Sequence, residues 1–229
     1  MSVSLDDRVA GAGRFPWSAA DGVPEAARAF FQANGYVVYE RFASRDATTA
    51  LRRAADAVVR DPAYAAPAAA VFTTDEQARE TGDGYFLRSA GAVRCFREER
   101  ATSYDDERRS ADARARATNK IGHALHDLLP EFARFSYAPD VQAVAAAHGL
   151  HHPLLIQSMY IFKQPHIGGP VRAHRDATFI VSEPDTCLGY WWALEDSTVD
   201  NGCLWAVPGS HKDGVHKHFV LNEKRTGTI

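Results

Sequence analysis

Residues 157–211 decide the fold. They open with Gln157-Ser158-Met159-Tyr160-Ile161-Phe162 and break at Gly168-Gly169-Pro170. They continue through His174-Arg175-Asp176 and Gly189-Tyr190-Trp191-Trp192, and close on Asn201-Gly202-Cys203-Leu204-Trp205-Ala206-Val207-Pro208-Gly209-Ser210-His211. Read at the strand period of two, Ile156, Ser158, Tyr160 and Phe162 share one face, while Gln157, Met159 and Ile161 share the other. Val171 to Ser182, Cys187 to Leu194 and Cys203 to Val207 read as further strands. His174 and Asp176, two apart on such a strand, project to one face. An imidazole nitrogen and a carboxylate oxygen then reach the same ion, as two members of a facial triad that leaves metal positions open. The spacing alone is weak. A second such pair, His211-Lys212-Asp213, follows the Pro-Gly turn, and an ordinary surface pair is the rival reading for either.

Upstream of this stretch the pattern is helical. Residues 1–22, rich in Gly, Ala and Ser, read as a flexible tail, and 23–229 as one domain, helical to about residue 150 and β-rich over 151–229. Pro24 opens a helix from Glu25 to Ala33 that stops at Asn34-Gly35. Tyr36 to Tyr39 follows as a short β run. Ser44 caps a second helix through Val59, with Leu51, Ala54, Ala55 and Val58 on one side and arginines opposite. Gly84 to Ser89 and Val93 to Phe96 read as a pair of strands. Residues 97–116 read as a charged mobile loop running into a helix that carries Asn119-Lys120-Ile121-Gly122-His123-Ala124-Leu125-His126 and ends at Pro130. A last helix fits Asp140 to His148. Helices first and strands afterwards give an α+β chain whose β part is a roll or sandwich.

Composition narrows the function classes. The 229 residues are 45% hydrophobic and 24% charged, with a formal net charge of -3, a balance that gives no basis for a nucleic-acid partner. Arg108, Arg109, Arg114 and Arg116 are interleaved with Glu107 and Asp112, as on a solvated helix face. Cys95, Cys187 and Cys203 are odd in number and form no Cys-x-x-Cys pair, which fits a reducing compartment. With neither a signal peptide nor an apolar run of spanning length, the expectation is a cytoplasmic protein without membrane insertion. Its partner is a small-molecule substrate, and the oligomeric state stays open.

Taken together, Asn119–His126, Gln157–His166, His174-Arg175-Asp176, Glu195-Asp196 and Asn201–His211 resemble the phytanoyl-CoA dioxygenase family, and Asn34-Gly35-Tyr36-Val37-Val38 extends the match upstream. The resemblance implies a double-stranded β-helix, the cupin-like jelly roll, with N-terminal helices. It implies an iron(II)- and 2-oxoglutarate-dependent dioxygenase that hydroxylates a small organic or lipid-like substrate, with ascorbate as an accessory reductant. His174 and Asp176 would be catalytic iron ligands, Lys120 would reach a carboxylate of 2-oxoglutarate, and Met159 and Trp191 would line the co-substrate pocket. Each has a plainer rival: a solvated lysine for Lys120, ordinary core for Met159 and Trp191. His123 and His126, one helical turn apart, read either as a metal pair or as structural histidines.

The family pattern also asks for a later histidine and an arginine, and the sequence ends 18 residues after His211. The expectation is therefore a roll incomplete at its C-terminus, with the third iron ligand absent and His216 as a weak candidate for it, nine residues before Arg225. The alternative function is a non-catalytic binding or regulatory protein, or a fragment, on a broken oxygenase fold.

Overall fold

The computed structural model describes residues 13–72, 84–101, 103–214 and 218. Two strands open the chain, β1 (Arg14–Pro16) and β2 (Val38–Glu40), paired in parallel around helix α1 (Glu25–Asn34). Arg14–Pro16 thus belongs to a sheet although it lies in the stretch read as a tail. The Arg14 guanidinium bonds Glu40 at 2.7 Å, and Phe15 packs edge-on against Phe30 of α1. Helix α1 ends as its sequence requires: Gly35 takes a left-handed φ of 80° and returns its N–H to the Phe31 carbonyl at 2.7 Å.

Helix α2 (Arg45–Arg60) is the main packing element. Its Ser44 cap accepts a hydrogen bond from the Ala47 N–H at 3.1 Å, and its last turn carries Arg60, complementing the helix dipole. Leu51, Ala55, Val58 and Val59 are buried on one face. They meet Cys95, Ile121, Leu125 and Phe132, with Tyr160, Phe162 and Leu194 at the fringe. This cluster is the core, and truncating one of its large members, such as Leu125 to alanine, should cost about 2–5 kcal/mol.

The layer opposite α2 is a four-stranded sheet in the order β3 (Val71–Phe72), β4 (Val93–Glu98), β5 (Thr118–His123), β6 (Ser158–Ile161). The β3–β4 pair is parallel; β4–β5 and β5–β6 are antiparallel. Two expectations are corrected here. Gly84 to Ser89 is not a strand: Gly84–Leu87 forms a short helix, α3, because both edges of β4 are already taken by β3 and β5. Thr118–His123 is not helical but central in the sheet, buried at all six positions. A strand covered on both faces shows no apolar alternation, and polar residues held inside hid the period from the sequence.

The segment read as a mobile loop, 97–116, is ordered by two helices, α4 (Tyr104–Arg109) and α5 (Ala111–Ala117), each capped by a serine, Ser103 and Ser110. Glu107 lies inside rather than on a solvated face and takes a bidentate ion pair from Arg97, at 2.6 Å to each oxygen. Beyond β5 come α6 (Leu125–Leu128), α7 (Pro130–Ser136) and α8 (Pro139–Ala147).

After β6 the expected strands are not formed. Val171 to Ser182, Cys187 to Leu194 and Cys203 to Val207 are irregular, with short 3-10 turns at Asp176–Thr178, Val199–Asn201 and Ser210–Asp213. A strand exists through its hydrogen-bonded ladder, and these segments find no ladder partner among the described residues. The sheet is open rather than a closed roll. Side chains hold the segments instead. Trp192 packs on Phe42 and Phe135, both at 5.0 Å between centroids, and the Tyr190 hydroxyl donates to the Val141 carbonyl at 2.9 Å. Arg52 of α2 pairs with Glu195. No helix among the described residues is long and apolar enough to cross a membrane.

Candidate functional site

Two pairs of the singled-out residues come together. The first is His174 and Asp176, with Nε2 3.4 Å from Oδ1. The strand period is not what joins them: Arg175 is extended, and Asp176 begins the 3-10 turn that returns the Phe179 and Ile180 N–H groups to its carbonyl at 2.9 and 2.8 Å. The His174 Nδ1 lies 2.8 Å from the Arg172 carbonyl, which only accepts, so Nδ1 carries a proton and Nε2 is the nitrogen turned to the carboxylate. A backbone carbonyl holding the Nδ1 proton leaves Nε2 as the nitrogen that would meet a metal. Gly189 borders the carboxylate closely: a Cβ there would stand 3.0 Å from Asp176 Oδ2.

Arg175, between the two, is bonded elsewhere. Its guanidinium donates to the Ser210 and Gly214 carbonyls and stands 3.8 Å from the Asp213 carboxylate. The same turn is fastened to α1: the Gly209 N–H donates to the Asn34 carbonyl at 2.8 Å, and His211 Nε2 donates to the Gln32 carbonyl at 3.1 Å. The His-Arg-Asp step is thereby clamped to the Pro-Gly-Ser-His turn and, through it, to the first helix. The second His-x-Asp, His211 and Asp213, thus serves as part of this clamp.

The second pair is Lys120 and Met159. Lys120 is 3% exposed, on β5 rather than on a helix, and its Nζ stands 3.7 Å from Met159 Sδ on β6. Three rings surround the ammonium: Phe72 at 3.6 Å, Phe86 at 5.1 Å and Phe96 at 5.2 Å from their centroids. An aromatic cage of this kind holds a buried cation through the ring faces. Met159 itself is 41% exposed, so the pair lies where β6 opens to solvent. Trp191 is 47% exposed and makes no polar or ring contact with either pair among the described residues; its neighbour Trp192 faces the core instead.

His123 and His126 do not form a metal pair. His123 Nδ1 bonds Ser89 Oγ at 2.6 Å, and His126 Nδ1 bonds Ser158 Oγ at 2.7 Å. Burial first, and then the Lys120 charge, push the His123 imidazole down to about 3, so it is neutral near pH 7. Its Nε2 is buried without a hydrogen-bond partner, as are Glu98 Oε1 and Arg114 Nε. The sequence gives no signal for Ser89 as the partner of His123, since the contact spans 34 residues. Three clustered His, Cys, Asp or Glu side chains able to hold a metal are not found among the described residues. His216 and Arg225 lie outside those residues.

A sequence profile described as phytanoyl-CoA dioxygenase matches residues 31–228. The chain belongs to the phytanoyl-CoA dioxygenase family. It is 42% identical to an Arabidopsis thaliana protein named phytanoyl-CoA dioxygenase, over 85% of this chain and 67% of that one. It is 41% identical to phytanoyl-CoA dioxygenase domain-containing protein 1 of Bos taurus, over 83% and 66% respectively, and 38% identical to a Caenorhabditis elegans homolog of that protein, over 86% and 69%. The chain spans about two thirds of the length of these relatives. The motifs that carried the resemblance all lie within the matched residues.

Proposed function

We propose that the chain is an iron(II)- and 2-oxoglutarate-dependent dioxygenase acting on a small organic or lipid-like substrate. On this reading the open four-stranded sheet is a portion of a double-stranded roll. The observation that carries the proposal is the approach of His174 Nε2 to Asp176 Oδ1 at 3.4 Å, with Nδ1 bonded to the Arg172 carbonyl. An imidazole nitrogen and a carboxylate oxygen side by side fit one edge of a two-histidine, one-carboxylate ferrous site. His216, the weak candidate for a third ligand, lies outside the described residues. When bound, the iron supplies the oxidising chemistry, coupled to decarboxylation of 2-oxoglutarate. The chain's own residues supply position. Arg175 holds the ligand loop to the 209–214 turn, Gly189 leaves space at the carboxylate, and Lys120 offers its charge to a carboxylate of the 2-oxo acid, with Met159 beside it.

The test is anaerobic titration of the purified chain with Fe(II) and 2-oxoglutarate, followed by succinate measurement on admitting oxygen. A visible charge-transfer band and succinate above the His174→Ala level are the expected results. The absence of both signals would overturn the reading. A second reading is a non-catalytic binding or regulatory protein on the same fold. It requires that 2-oxoglutarate bind with no succinate formed.

A further inference from the structure

Strand β5 brings a second polar side chain to the rings that hold Lys120. The His123 ring lies 5.1 Å from Phe86 and 5.6 Å from Phe96 between centroids, and Lys120 Nζ lies 5.1 and 5.2 Å from the same two. The tautomer of His123 follows from Ser89. That hydroxyl is 2.5 Å from the Phe86 carbonyl, which only accepts, so its proton points there and its oxygen accepts the Nδ1–H of His123 at 2.6 Å. The Nε2 lone pair is left over, on a residue only 4% exposed, with no hydrogen-bond partner. A buried acceptor in that state costs about 1–3 kcal/mol and calls for a reason.

We infer that His123 is a second anion-binding residue beside Lys120, taking up a proton on Nε2 as a carboxylate seats against the lysine. This rests on the reading of Lys120 as the residue that takes a carboxylate of a 2-oxo acid. A carboxylate offers only acceptor oxygens, so the imidazole can meet it only as a donor. In the ligand-free chain the proton is kept off by burial and by the Lys120 charge. Among the described residues, the other side chains in ring or hydrogen-bond contact with the imidazole are uncharged: Phe86 and Ser89 from α3 and the turn after it, and Phe96 from β4. Ser158, opposite on β6, gives its oxygen to His126. An arriving carboxylate offsets the Lys120 charge and adds an opposite one, and both changes favour imidazolium. The proton comes from solvent and stays on Nε2; no covalent bond to the ligand forms or breaks. Binding then strengthens as pH falls, because the complex holds one more proton than the free protein.

The experiment is calorimetric titration of the full chain with 2-oxoglutarate, under anaerobic Fe(II), in two buffers of different ionisation enthalpy near pH 7. Uptake of about one proton is expected for the wild type and none for His123→Gln, whose affinity should be about tenfold lower and independent of pH. Binding by the wild type without proton uptake would overturn this inference alone, as would uptake that persists in His123→Gln. No binding by the wild type, or binding that Lys120→Met leaves intact, would overturn the co-substrate reading and this inference with it. The wild-type measurement decides the matter even if the variant fails to fold.

Discussion

Lys120 on β5 and Met159 on β6 meet across the sheet, ammonium to thioether at 3.7 Å, although 39 residues separate them in the chain. The strand pairing explains the meeting: Lys120 stands opposite Ile161 and Gly122 opposite Met159, so the long lysine chain reaches its diagonal neighbour. This contact puts a buried positive charge against the half-exposed Met159 of β6.

Lys120→Met removes that charge and keeps the length of the side chain. Affinity for 2-oxoglutarate should fall by at least about tenfold, since a hydrogen bond to a charged group contributes about 1.5–3 kcal/mol. The melting temperature of the ligand-free chain should hold or rise, because a buried cation gives way to a side chain suited to the ring cage. Calorimetry and thermal melts report the two effects separately, and an unchanged affinity would contradict the assigned role.

Gly189→Ala tests the Asp176 carboxylate without touching a candidate ligand. The added Cβ would stand 3.0 Å from Oδ2, tight enough that one group must shift. Fe(II) or Co(II) affinity should drop by roughly 10-fold, the scale on which displaced outer contacts act, with the circular dichroism spectrum unchanged.

Arg175→Gln should free the ligand loop from the 209–214 turn. The guanidinium makes two carbonyl contacts and one ion pair there, and a shorter neutral amide cannot span all three. Metal affinity should weaken and the turn become more sensitive to protease. His211→Ala, which breaks the link from the same turn to Gln32, should reproduce the protease effect. Equal cleavage of wild type and both variants would show that the clamp does not order the turn.

The pH dependence of stability follows from His123. Its imidazole is pushed down to about 3 in the folded chain, against an ordinary value of about 6.5. Between these values the unfolded chain binds the extra proton and the folded chain does not, so stability is lost as pH falls from about 6.5 toward 3. His148, held low by burial and then by Arg28, acts in the same direction. Urea melts at pH 7 and pH 5 should show this slope in the wild type and a shallower one in His123→Gln.

Glu107→Ala leaves the Arg97 guanidinium buried with its bidentate partner gone. Removing one side of a buried pair typically costs about 3–5 kcal/mol, and chemical denaturation should register a loss of that order. The double variant Arg97→Met with Glu107→Leu should recover most of the loss. The interleaved charges of 104–116 gave no warning of this, because their pattern also suits a solvated helix face.

Local signals in the chain were sufficient for the first helices. Ser44, the apolar spacing of Leu51, Ala55 and Val58, and Asn34-Gly35 act over a few residues, so α1 and α2 stand where their caps place them. Residue type and order also carry the family: His174-Arg175-Asp176, Lys120 in its Asn-Lys-Ile-Gly-His setting, and Met159 all lie within the matched residues. Local signals failed where burial or pairing is decided by distant chain. Thr118–His123 became a strand because β4 and β6 flank it, Gly84–Leu87 became helical because β4 had no edge to offer, and the segments after β6 lack ladder partners among the described residues. Only the tertiary structure could show Lys120 caged by Phe72, Phe86 and Phe96, Arg175 turned onto Ser210 and Gly214, and His123 locked by Ser89 with its Nε2 unpartnered. Sequence fixes which groups a chain carries and the local geometry between near neighbours. Contacts across tens of residues exist only once the sheet and α2 close on their shared core, and they decide which of those groups is charged, tautomerically fixed and open to a ligand.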